Sequence, residues 1–574
     1  MASAPDVPAE LTPGTRVELH SLSRVELNGC TGVCRELVHT SGRWAVLLDH
    51  PTKPVAGGLL VKPANLRRLP NRADAARALC ALLAARHPTQ GFLIHPALRF
   101  EELDGDVCVR ADAAIEKGDI LLVVPESAMV AVSSEECGRI PLDDGRRTMQ
   151  DVLDAIEAAF DDKFAMGLPV LEGHNVTLAV LLMHVACQAS DELYQHVAAT
   201  WPSISATTAL PVRWEQAQVD RLTGTPLADA VSSLQADIEE AFQRVVVPVL
   251  GEPPLAPSFT PQGHTLRDGF VHALALALSR SHGDNRMRSA SSSVGKLAPL
   301  ADLFNGVPEG HPDVNVALHR GKWPFVRGGR YTVGATDLLC TAVAATRDVA
   351  AGTELVYSYG EASTTGFVLK FGAVPLPLDW RNPNDEAEVL LSAEIVRGEG
   401  GAGGGGEGGG DELAQLRARA LRLFGLDEEA SLFLSEAELE TPTDELEPEE
   451  GGLAAVRLAA LLLVGSADLV RACGACAQRG VPVSGMATEL ASGLAELMPP
   501  PATLGAKLVE LIDRNLQRLP TSSSEIDLER CERLGSREAS SALEVVAIRT
   551  RVKQRSLLAA WRSRFCREHG LSEG

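Results

Sequence analysis

The chain has 574 residues, and its 76 acidic against 53 basic side chains give it a net charge of −23. At about 150 residues per domain, this length predicts about three or four domains. So acidic a chain is not expected to bind nucleic acid non-specifically through the phosphate groups. The charge is compatible with a basic partner such as a lysine-rich protein segment, but solubility is the first explanation of it.

No membrane span or secretory signal is apparent in the sequence. The longest uninterrupted apolar run covers residues 458–464, far short of the roughly 20 residues that a transmembrane helix needs. The first residues are acidic and lack a basic segment followed by an apolar one. We therefore expect an intracellular protein, cytoplasmic or nuclear, that does not act at a membrane. A monomer is the favoured oligomeric state.

The cysteine pattern argues against a metal site. The 11 cysteines are scattered, and only two close pairs occur, Cys30 with Cys34 and Cys473 with Cys476. A structural zinc site needs four ligands, and neither pair has a second CxxC or a histidine pair to complete it. We expect reduced thiols and no bound metal.

The N-terminal part of the chain has the pattern of a small β unit. Residues 43–48 and 59–62 are strand-like runs bounded by glycine and proline, and Gly29 and Gly32 supply turn chemistry. We predict a small SH3-like β-barrel over residues 10–70. Its role is either that of a structural appendage or that of an adaptor.

A helix and a β-hairpin are predicted next. The helix is rich in Ala, Leu and Arg, has Asn71 as its N-cap and stops before Pro88, so residues 71–90 are predicted to be a connecting helix. Residues 105–125 then follow the order strand, glycine turn, strand, with Pro125 as the stop.

Residues 126–290 are predicted to be mostly helical. Within them, residues 176–189 are apolar nearly all round, which is typical of a buried helix. His184 on this helix is predicted to be a core histidine rather than a ligand.

Two short segments downstream carry the candidate site. Residues 300–306 form an apolar approach that ends in the polar turn Asn305-Gly306. Residues 352–360 form a glycine turn and a short β-rich run that ends on Tyr359. Polar residues at the ends of apolar runs are fixed by the scaffold and still reached by solvent. We therefore expect the two segments to form one site.

This pairing resembles the SET-domain protein methyltransferases, in the subgroup typified by the Rubisco large-subunit lysine methyltransferase. The family ends its catalytic core with an Asn-His motif and a Tyr-Gly motif that thread past each other. In this chain they correspond to Asn305-Gly306 and Tyr359-Gly360. Two positions depart from the family pattern, because its histidine is replaced by Gly306 and the asparagine usually found after the following serine is Thr364.

The resemblance extends into the helical insert. The subgroup has a proline after the first helix, a tryptophan and a Leu-x-Gly-Thr turn, which are found in this chain at Pro202, Trp214 and residues 222–225. A Ser-Arg pair at residues 279–280 also matches. The family's first cofactor segment normally has glycines around positions 106–108, where this chain has Asp-Val-Cys.

The resemblance implies an α+β fold, a SET-domain β-fold with a helical insert that follows the small barrel. The SET domain is expected over residues 91–375, with the insert at 126–290. A linker that is glycine-rich at its end follows over 376–411, and an all-α substrate-binding domain over 412–570. In that domain the sequence pattern predicts helices over residues 413–424, 453–464, 504–519 and 542–565.

The resemblance further implies S-adenosylmethionine as cofactor and a lysine of a protein substrate as methyl acceptor. Methyl transfer to a neutral amine needs a straight approach and no strong base, and Tyr359 is the expected catalytic residue that holds the line of attack. Tyr357 and Phe371 are the candidates to line the lysine channel, where aromatic faces stabilise a nearby cation. For Phe371, core packing is the favoured alternative.

Four residues are expected to contact the cofactor. Asn305 and Gly306 would lie against the adenine and ribose, partly through backbone groups. Asp302 would orient that turn or contact the ribose. Arg280 would pair with the methionyl carboxylate, because arginine binds carboxylates in a bidentate way.

Two other interpretations remain open at this stage. Gly306, Thr364 and the missing glycines at 106–108 are compatible with a non-catalytic SET-fold scaffold that acts through its other domains. The same chemistry could also serve a histidine acceptor, which some relatives methylate. An Asn-Gly turn, a core tyrosine and a surface arginine are each common structural features as well.

Overall fold

The structure is a computed structural model of the full chain. It describes residues 11, 15–24, 27–28, 30–48, 59–69, 71–87, 91–103, 106–132, 140, 142, 147–164, 170–188, 191–204, 210–223, 225–251, 255–261, 264–281, 295–322, 326–327, 331–332, 339–378, 380–390, 431–440, 500–519 and 539–572.

The strands are mostly short and follow one another along the chain as β1 (Arg16–Leu19), β2 (Thr31–Val38), β3 (Arg43–Leu48), β4 (Leu59–Val61), β5 (Leu66–Arg68), β6 (Leu93–Ile94), β7 (Leu98–Leu103), β8 (Asp106–Ala111), β9 (Ile120–Pro125), β10 (Val130–Ala131), β11 (Lys296–Leu297), β12 (Asn305–Val307), β13 (Val316–Lys322), β14 (Val326–Arg327), β15 (Tyr331–Thr332), β16 (Leu339–Ala345), β17 (Val356–Ser358), β18 (Glu386–Leu390) and β19 (Ser431–Ser435).

The α-helices, also in chain order, are α1 (Arg72–Arg86), α2 (Met149–Lys163), α3 (Gly173–Cys187), α4 (Glu192–Ala199), α5 (Gln216–Val219), α6 (Pro226–Ala241), α7 (Val247–Leu250), α8 (Ala256–Phe259), α9 (Leu266–Arg280), α10 (Thr364–Phe371), α11 (Pro501–Arg518) and α12 (Ala539–Glu568).

The chain divides into two compact units. The first comprises residues 1–214 and 231–360, and the second comprises residues 215–230 and 361–574.

The first unit begins with an antiparallel sheet of five strands in the order β4-β3-β2-β1-β5. Alternate residues such as Val17, Leu19, Trp44 and Val46 point into one small core, as expected for strands with one buried face. This confirms the predicted β unit. β4 and β5 are the edges of this sheet, and over the described residues no strand pairing closes it into a barrel.

The predicted connecting helix is confirmed as α1. The side chain of Asn71 accepts a hydrogen bond from the backbone amide of Asp74 at 2.7 Å, which satisfies one of the amides left free at a helix start. The helix ends at Arg86, just before Pro88.

The β-core of the first unit is an antiparallel sheet in the order β13-β16-β9-β6. Residues 121–125 of β9 are all buried, which explains its continuous apolar run. Beside it, β8 pairs with β7 and not with β9, whose partners are β16 and β6. The two strands predicted over residues 105–125 are thus present, but the prediction that they form one hairpin was wrong, and the hairpin here is that of β7 and β8. The hairpin is joined to the later glycine turn, because the amide of Gly352 donates to the carbonyl of Ala111 at 2.7 Å.

The helical insert packs around α3. Residues 176–185 of α3 are all buried, which confirms the prediction from its apolar circumference, and His184 has no exposed surface. α9 packs against α3. Among the described helices, none alone has the length and apolar character to cross a bilayer, and α3 and α4 meet that test only as a pair with a bend of 108° between them.

The second unit contains the predicted C-terminal helices. α11 and α12 confirm the helices predicted over 504–519 and 542–565, and they pack against each other. The structure adds one antiparallel pair, in which β18 lies in the predicted linker and β19 in the domain that was predicted to be all-α, so that prediction was wrong at β19. The predicted helices at 413–424 and 453–464, the glycine-rich segment and Cys473 with Cys476 lie outside the described residues.

The structure explains locally how threonine is accommodated at position 364, where the family pattern has asparagine. Its amide and hydroxyl donate to the two carboxylate oxygens of Asp385 at 2.5 and 2.9 Å, and both side chains are buried. Ser363 caps the same helix, accepting from the amide of Gly366 at 3.1 Å. Ser363 and Asp385 therefore satisfy the amides at the start of α10, and the Thr364 hydroxyl adds a second hydrogen bond to the Asp385 carboxylate.

Candidate active site

The two predicted motifs meet through a pair of parallel strands. β12 pairs with β17, and Gly306 lies opposite Tyr357 in the register. Directly after β17, the amide of Tyr359 donates to the carbonyl of Val307 at 2.9 Å. Two segments that are distant in the chain are thus held side by side, and both contribute side chains to one site.

Tyr359 is held by contacts on its ring and on its hydroxyl. Its ring meets that of Tyr357 edge to face, with centroids 4.9 Å apart, an arrangement that aromatic pairs prefer. The hydroxyl of Tyr357 hydrogen-bonds to that of Tyr359. The Tyr359 hydroxyl itself donates to the carbonyl of Phe304 at 3.3 Å. The phenol is therefore fixed from both segments.

The protonation state of this phenol follows from its surroundings. Burial raises the pKa of Tyr359 to about 12, and the nearby positive charge of Arg280 opposes that rise only in part. Tyr359 is therefore a neutral hydrogen-bonding group at physiological pH and cannot act as a phenolate base.

Arg280 and Asp302 form an ion pair next to the tyrosine. Arg280 is the last residue of α9, and its Nη1 donates to the backbone carbonyl of Asp302 at 2.9 Å and lies 3.4 Å from its Oδ2. Asp302 sits in a 3-10 turn, Ala301–Leu303, that follows the buried residue Leu300. Leu300 has φ of 70°, a left-handed conformation that costs about 1–2 kcal/mol, and such strain is typical of functional sites.

Asp302 is a buried carboxylate with spare hydrogen-bonding capacity. Its side chain is 0% exposed, and among the described residues its Oδ1 has no hydrogen-bond partner. Burial raises the pKa of Asp302, against the opposing attraction of Arg280. A buried acceptor without a partner is costly in a folded protein, so this atom is a candidate contact for a ligand.

The structure adds Arg72, which was not predicted as a site residue. Arg72 is 3% exposed, its Nε donates to the carbonyl of Thr200 at 2.9 Å, and its Nη1 lies 3.5 Å from Asp106. Burial, together with the neighbouring positive charge of Arg280, lowers the pKa of Arg72 to about 10. Two guanidinium groups therefore lie within electrostatic range of the same carboxylate of Asp302.

A weak sequence signal for Arg72 existed. It is the first residue of α1, where the helix dipole disfavours a positive charge. A cation at that position needs another reason, and its long side chain is buried against Thr200 and Asp106. Helix periodicity alone does not reveal this, because the partners come from distant parts of the chain.

Asn305 faces solvent and is oriented by a residue that was also not predicted. Its Nδ2 donates to Oε1 of Glu354 at 2.7 Å. The backbone of Glu354 in turn pairs with the backbone of Arg110 of β8 in a single antiparallel β-bridge. The side-chain amide of Asn305 is thus held in place at an exposed position of the site.

The remaining predicted positions differ in their surroundings. Asp106 begins β8 with an exposed side chain, whereas Val107 and Cys108 are buried in the hairpin, so this segment is a regular strand in place of a glycine loop. Phe371 belongs to the second unit, at the end of α10, where its ring packs on that of Phe367 with centroids 4.8 Å apart. Its role in a lysine channel stays a prediction.

Comparison with known proteins found two curated relatives and no matching family model. The chain is 24% identical over 286 residues to N-lysine methyltransferase setd6 of Xenopus laevis, covering 48% of this chain and 52% of the relative. It is 25% identical over 224 residues to the protein of the same name from Xenopus tropicalis, covering 38% and 43%. The chain thus spans about half the length of the curated relatives it matches.

Solved structures match over a larger part of the chain. The structure of Rubisco LSMT bound to AdoMet aligns with 86% of this chain and 92% of its own, with a TM-score of 0.50 and 14% identity. The SET domain of LSMT bound to lysine and AdoHcy aligns with 87% and 92%, with a TM-score of 0.52 and 14% identity. At this identity the likeness concerns the fold, and it confirms the predicted SET-domain architecture.

Proposed function

We propose that this chain is an S-adenosylmethionine-dependent protein methyltransferase that acts on a lysine side chain of a protein substrate. The observation that carries the proposal is the neutral, partly buried phenol of Tyr359, which directly follows β17 of the strand pair β12–β17 and lies within electrostatic range of Arg280 and Asp302. The curated relatives, which are N-lysine methyltransferases by name, support the same reaction class.

The charged residues of the site fit the amino-acid end of the cofactor. That end carries a carboxylate and an ammonium group. Arg280 and Arg72 offer two guanidinium groups, which bind carboxylates through paired hydrogen bonds. The free Oδ1 of Asp302 offers an acceptor for the ammonium group or for another donor of the cofactor. Asn305 and Gly306, at the edge of β12, would contact the nucleoside.

When bound, S-adenosylmethionine supplies the methyl group and a positively charged sulfonium leaving group. The residues of the chain need only orient the acceptor and keep its amine neutral. A free lysine has a pKa of about 10.4, and burial beside positive charge lowers it. The Tyr359 oxygen can accept a hydrogen bond from the amine and fix its direction of approach, while Tyr357 keeps that oxygen in place.

Binding and transfer are measured separately to test the proposal. Calorimetry of the full chain with S-adenosylmethionine is expected to give 1:1 binding. Incubation of the chain with isotopically labelled cofactor and a protein lysate is expected to give a methylated protein, with lysine as the modified residue in the mass spectrum. Absence of binding at millimolar cofactor would contradict the proposal, and a methylated histidine would contradict the choice of acceptor.

The pH dependence of turnover provides a second prediction. Because the pKa of Tyr359 is about 12, the phenol stays protonated over the whole range in which the lysine loses its proton. The rate at saturating cofactor is therefore expected to rise with pH and to level off as the bound amine becomes neutral, with no decline up to about pH 10. A bell-shaped profile with a descending limb near neutral pH, in enzyme that remains folded by circular dichroism, would contradict this role of the phenol.

A further inference from the structure

Gly306 is in unusually close contact with the ring of Tyr359. A Cβ atom built on residue 306 would lie 2.3 Å from Cδ1 and from Cε1 of Tyr359, and 2.6 Å from Cγ. Carbon atoms in contact need about 3.5 Å or more. Any side chain at this position would therefore push the ring away by about 1 Å or more.

The requirement for glycine comes from this contact rather than from the backbone. Glycines whose φ lies in the left-handed region include Gly352 and Gly360, and Gly306 is not one of them. Its backbone is that of an ordinary strand residue in β12, where glycine is destabilising relative to residues with a side chain. The close approach of the phenol ring explains why glycine is nevertheless present.

The other contacts of Tyr359 show what this packing achieves. Tyr357, which pairs with Gly306 in the register, meets the Tyr359 ring from a second side. The hydroxyl end is held by Tyr357 and by the carbonyl of Phe304. The ring is thus confined between strand backbone and a second aromatic ring, and its oxygen has one defined position.

We propose that Gly306 is a positioning residue for Tyr359. The missing side chain, at a position where the SET-domain motif has histidine, lets the ring lie directly on the backbone of β12 and so fixes the oxygen that orients the acceptor. The catalytic consequence rests on the proposed methyl transfer. The packing of the ring on Gly306 does not rest on it, and this packing can be tested without measuring methyl transfer.

Fluorine NMR tests the packing directly. The chain has only four tyrosines, so full-length protein labelled with 3-fluorotyrosine should give four resonances, of which three are assigned with Tyr194→Phe, Tyr357→Phe and Tyr359→Phe. We expect Gly306→Ala to shift the resonances of Tyr359 and Tyr357 and to leave that of Tyr194 unchanged. Unchanged Tyr359 and Tyr357 signals in Gly306→Ala would overturn the proposal.

A glycine in ordinary surroundings provides the matched control. A Cβ at Gly366 of α10 would be 3.5 Å from the nearest side-chain atom, the Oγ of Ser363, which is a normal contact. Gly366→Ala is therefore expected to leave the resonances of Tyr359, Tyr357 and Tyr194 in place. Shifts of the Tyr359 signal as large in Gly366→Ala as in Gly306→Ala would overturn the specific role of residue 306.

Thermal unfolding covers the case in which Gly306→Ala is too unstable for NMR. The substitution is expected to lower the Tm of the wild-type protein, and to have little effect in a Tyr359→Ala background, because the ring that the new methyl group meets is gone. An equal loss of Tm in both backgrounds would show that the methyl group meets something else, and would overturn the proposal.

If the chain transfers methyl groups as proposed, the displaced ring should also slow the chemical step. Gly306→Ala is expected to lower kcat, measured at a cofactor concentration that saturates the variant, about 100-fold, the effect of a misplacement of roughly 1 Å. If Gly306→Ala displaces the tyrosine signals but the wild-type protein transfers no methyl group, the proposed function alone is refuted. Full turnover in Gly306→Ala would refute the role of Gly306 alone.

Discussion

Replacing Tyr359 with phenylalanine is expected to lower the turnover of methyl transfer by about 100-fold or more. The substitution keeps the ring, which packs on Tyr357, but removes the oxygen that accepts from Tyr357 and donates to Phe304. Only the orientation of the acceptor amine is lost, so the affinity for S-adenosylmethionine should stay nearly the same. Single-turnover kinetics and calorimetry measure the two quantities independently.

Tyr194→Phe is the matched control for this variant. Tyr194 lies on α4 and is also largely buried, and the substitution likewise removes one phenol hydroxyl. It should leave turnover unchanged. Wild-type turnover in Tyr359→Phe, or an equal decline in Tyr194→Phe, would contradict a specific catalytic role for the Tyr359 hydroxyl.

Replacing Arg280 with methionine is expected to reduce both stability and cofactor binding. The Asp302 side chain, which is 0% exposed, would lose its ion-pair partner, and removing one member of a buried pair costs about 3–5 kcal/mol. The methionyl carboxylate would lose one of its two proposed guanidinium contacts, so cofactor affinity should fall sharply. Thermal unfolding and calorimetry of the variant test the two effects.

The stability loss in Arg280→Met should depend on pH. Burial raises the pKa of Asp302 in the folded protein, and Arg280 limits that rise. Without Arg280 the folded-state pKa rises further above the unfolded value of about 3.9. The folded protein then binds the proton more tightly than the unfolded chain does, so its stability falls as pH rises through this window. The variant should therefore be closest to wild type at mildly acidic pH.

Two further variants distinguish the contributions of Asp302 and Arg72 from that of Arg280. Arg280→Met combined with Asp302→Leu removes both charges and should recover much of the lost stability without recovering cofactor binding. A double variant as unstable as Arg280→Met would contradict the explanation that the instability comes from an unpaired buried carboxylate.

Arg72→Met should cost less stability than Arg280→Met, because the Asp106 side chain that Arg72 pairs with is 85% exposed and remains hydrated.

Much of the architecture follows from local patterns in the sequence. Hydrophobic periodicity and the residues that start or stop a helix can be recognised within a short stretch of sequence. They predict the N-cap at Asn71, the burial of α3 on all sides and the helices α11 and α12. The pair of β18 and β19 was not predicted, because its two strands join segments that are far apart in the chain. Strand preference depends on such partners more than helix preference does.

The site could be predicted only in part, for a similar reason. The motif residues Asn305 and Tyr359 were identified by resemblance, and the structure places their segments side by side. Arg72 and Glu354 were missed, since each acts through a partner from a distant segment. The contact between Gly306 and Tyr359 was likewise invisible, because sequence gives the residue type but not the closeness of approach.

The parallel pairing of β12 with β17 also bears on how the protein folds. Two strands that run in the same direction cannot be joined by a tight turn, so the chain between them must first be folded back along the sheet. Contacts between such distant segments form slowly, because the entropy of loop closure precedes any stabilising contact. The hydroxyl of Tyr359 therefore reaches Phe304 only once the loop between the two strands has closed, and a nascent chain with the first motif alone has no complete site.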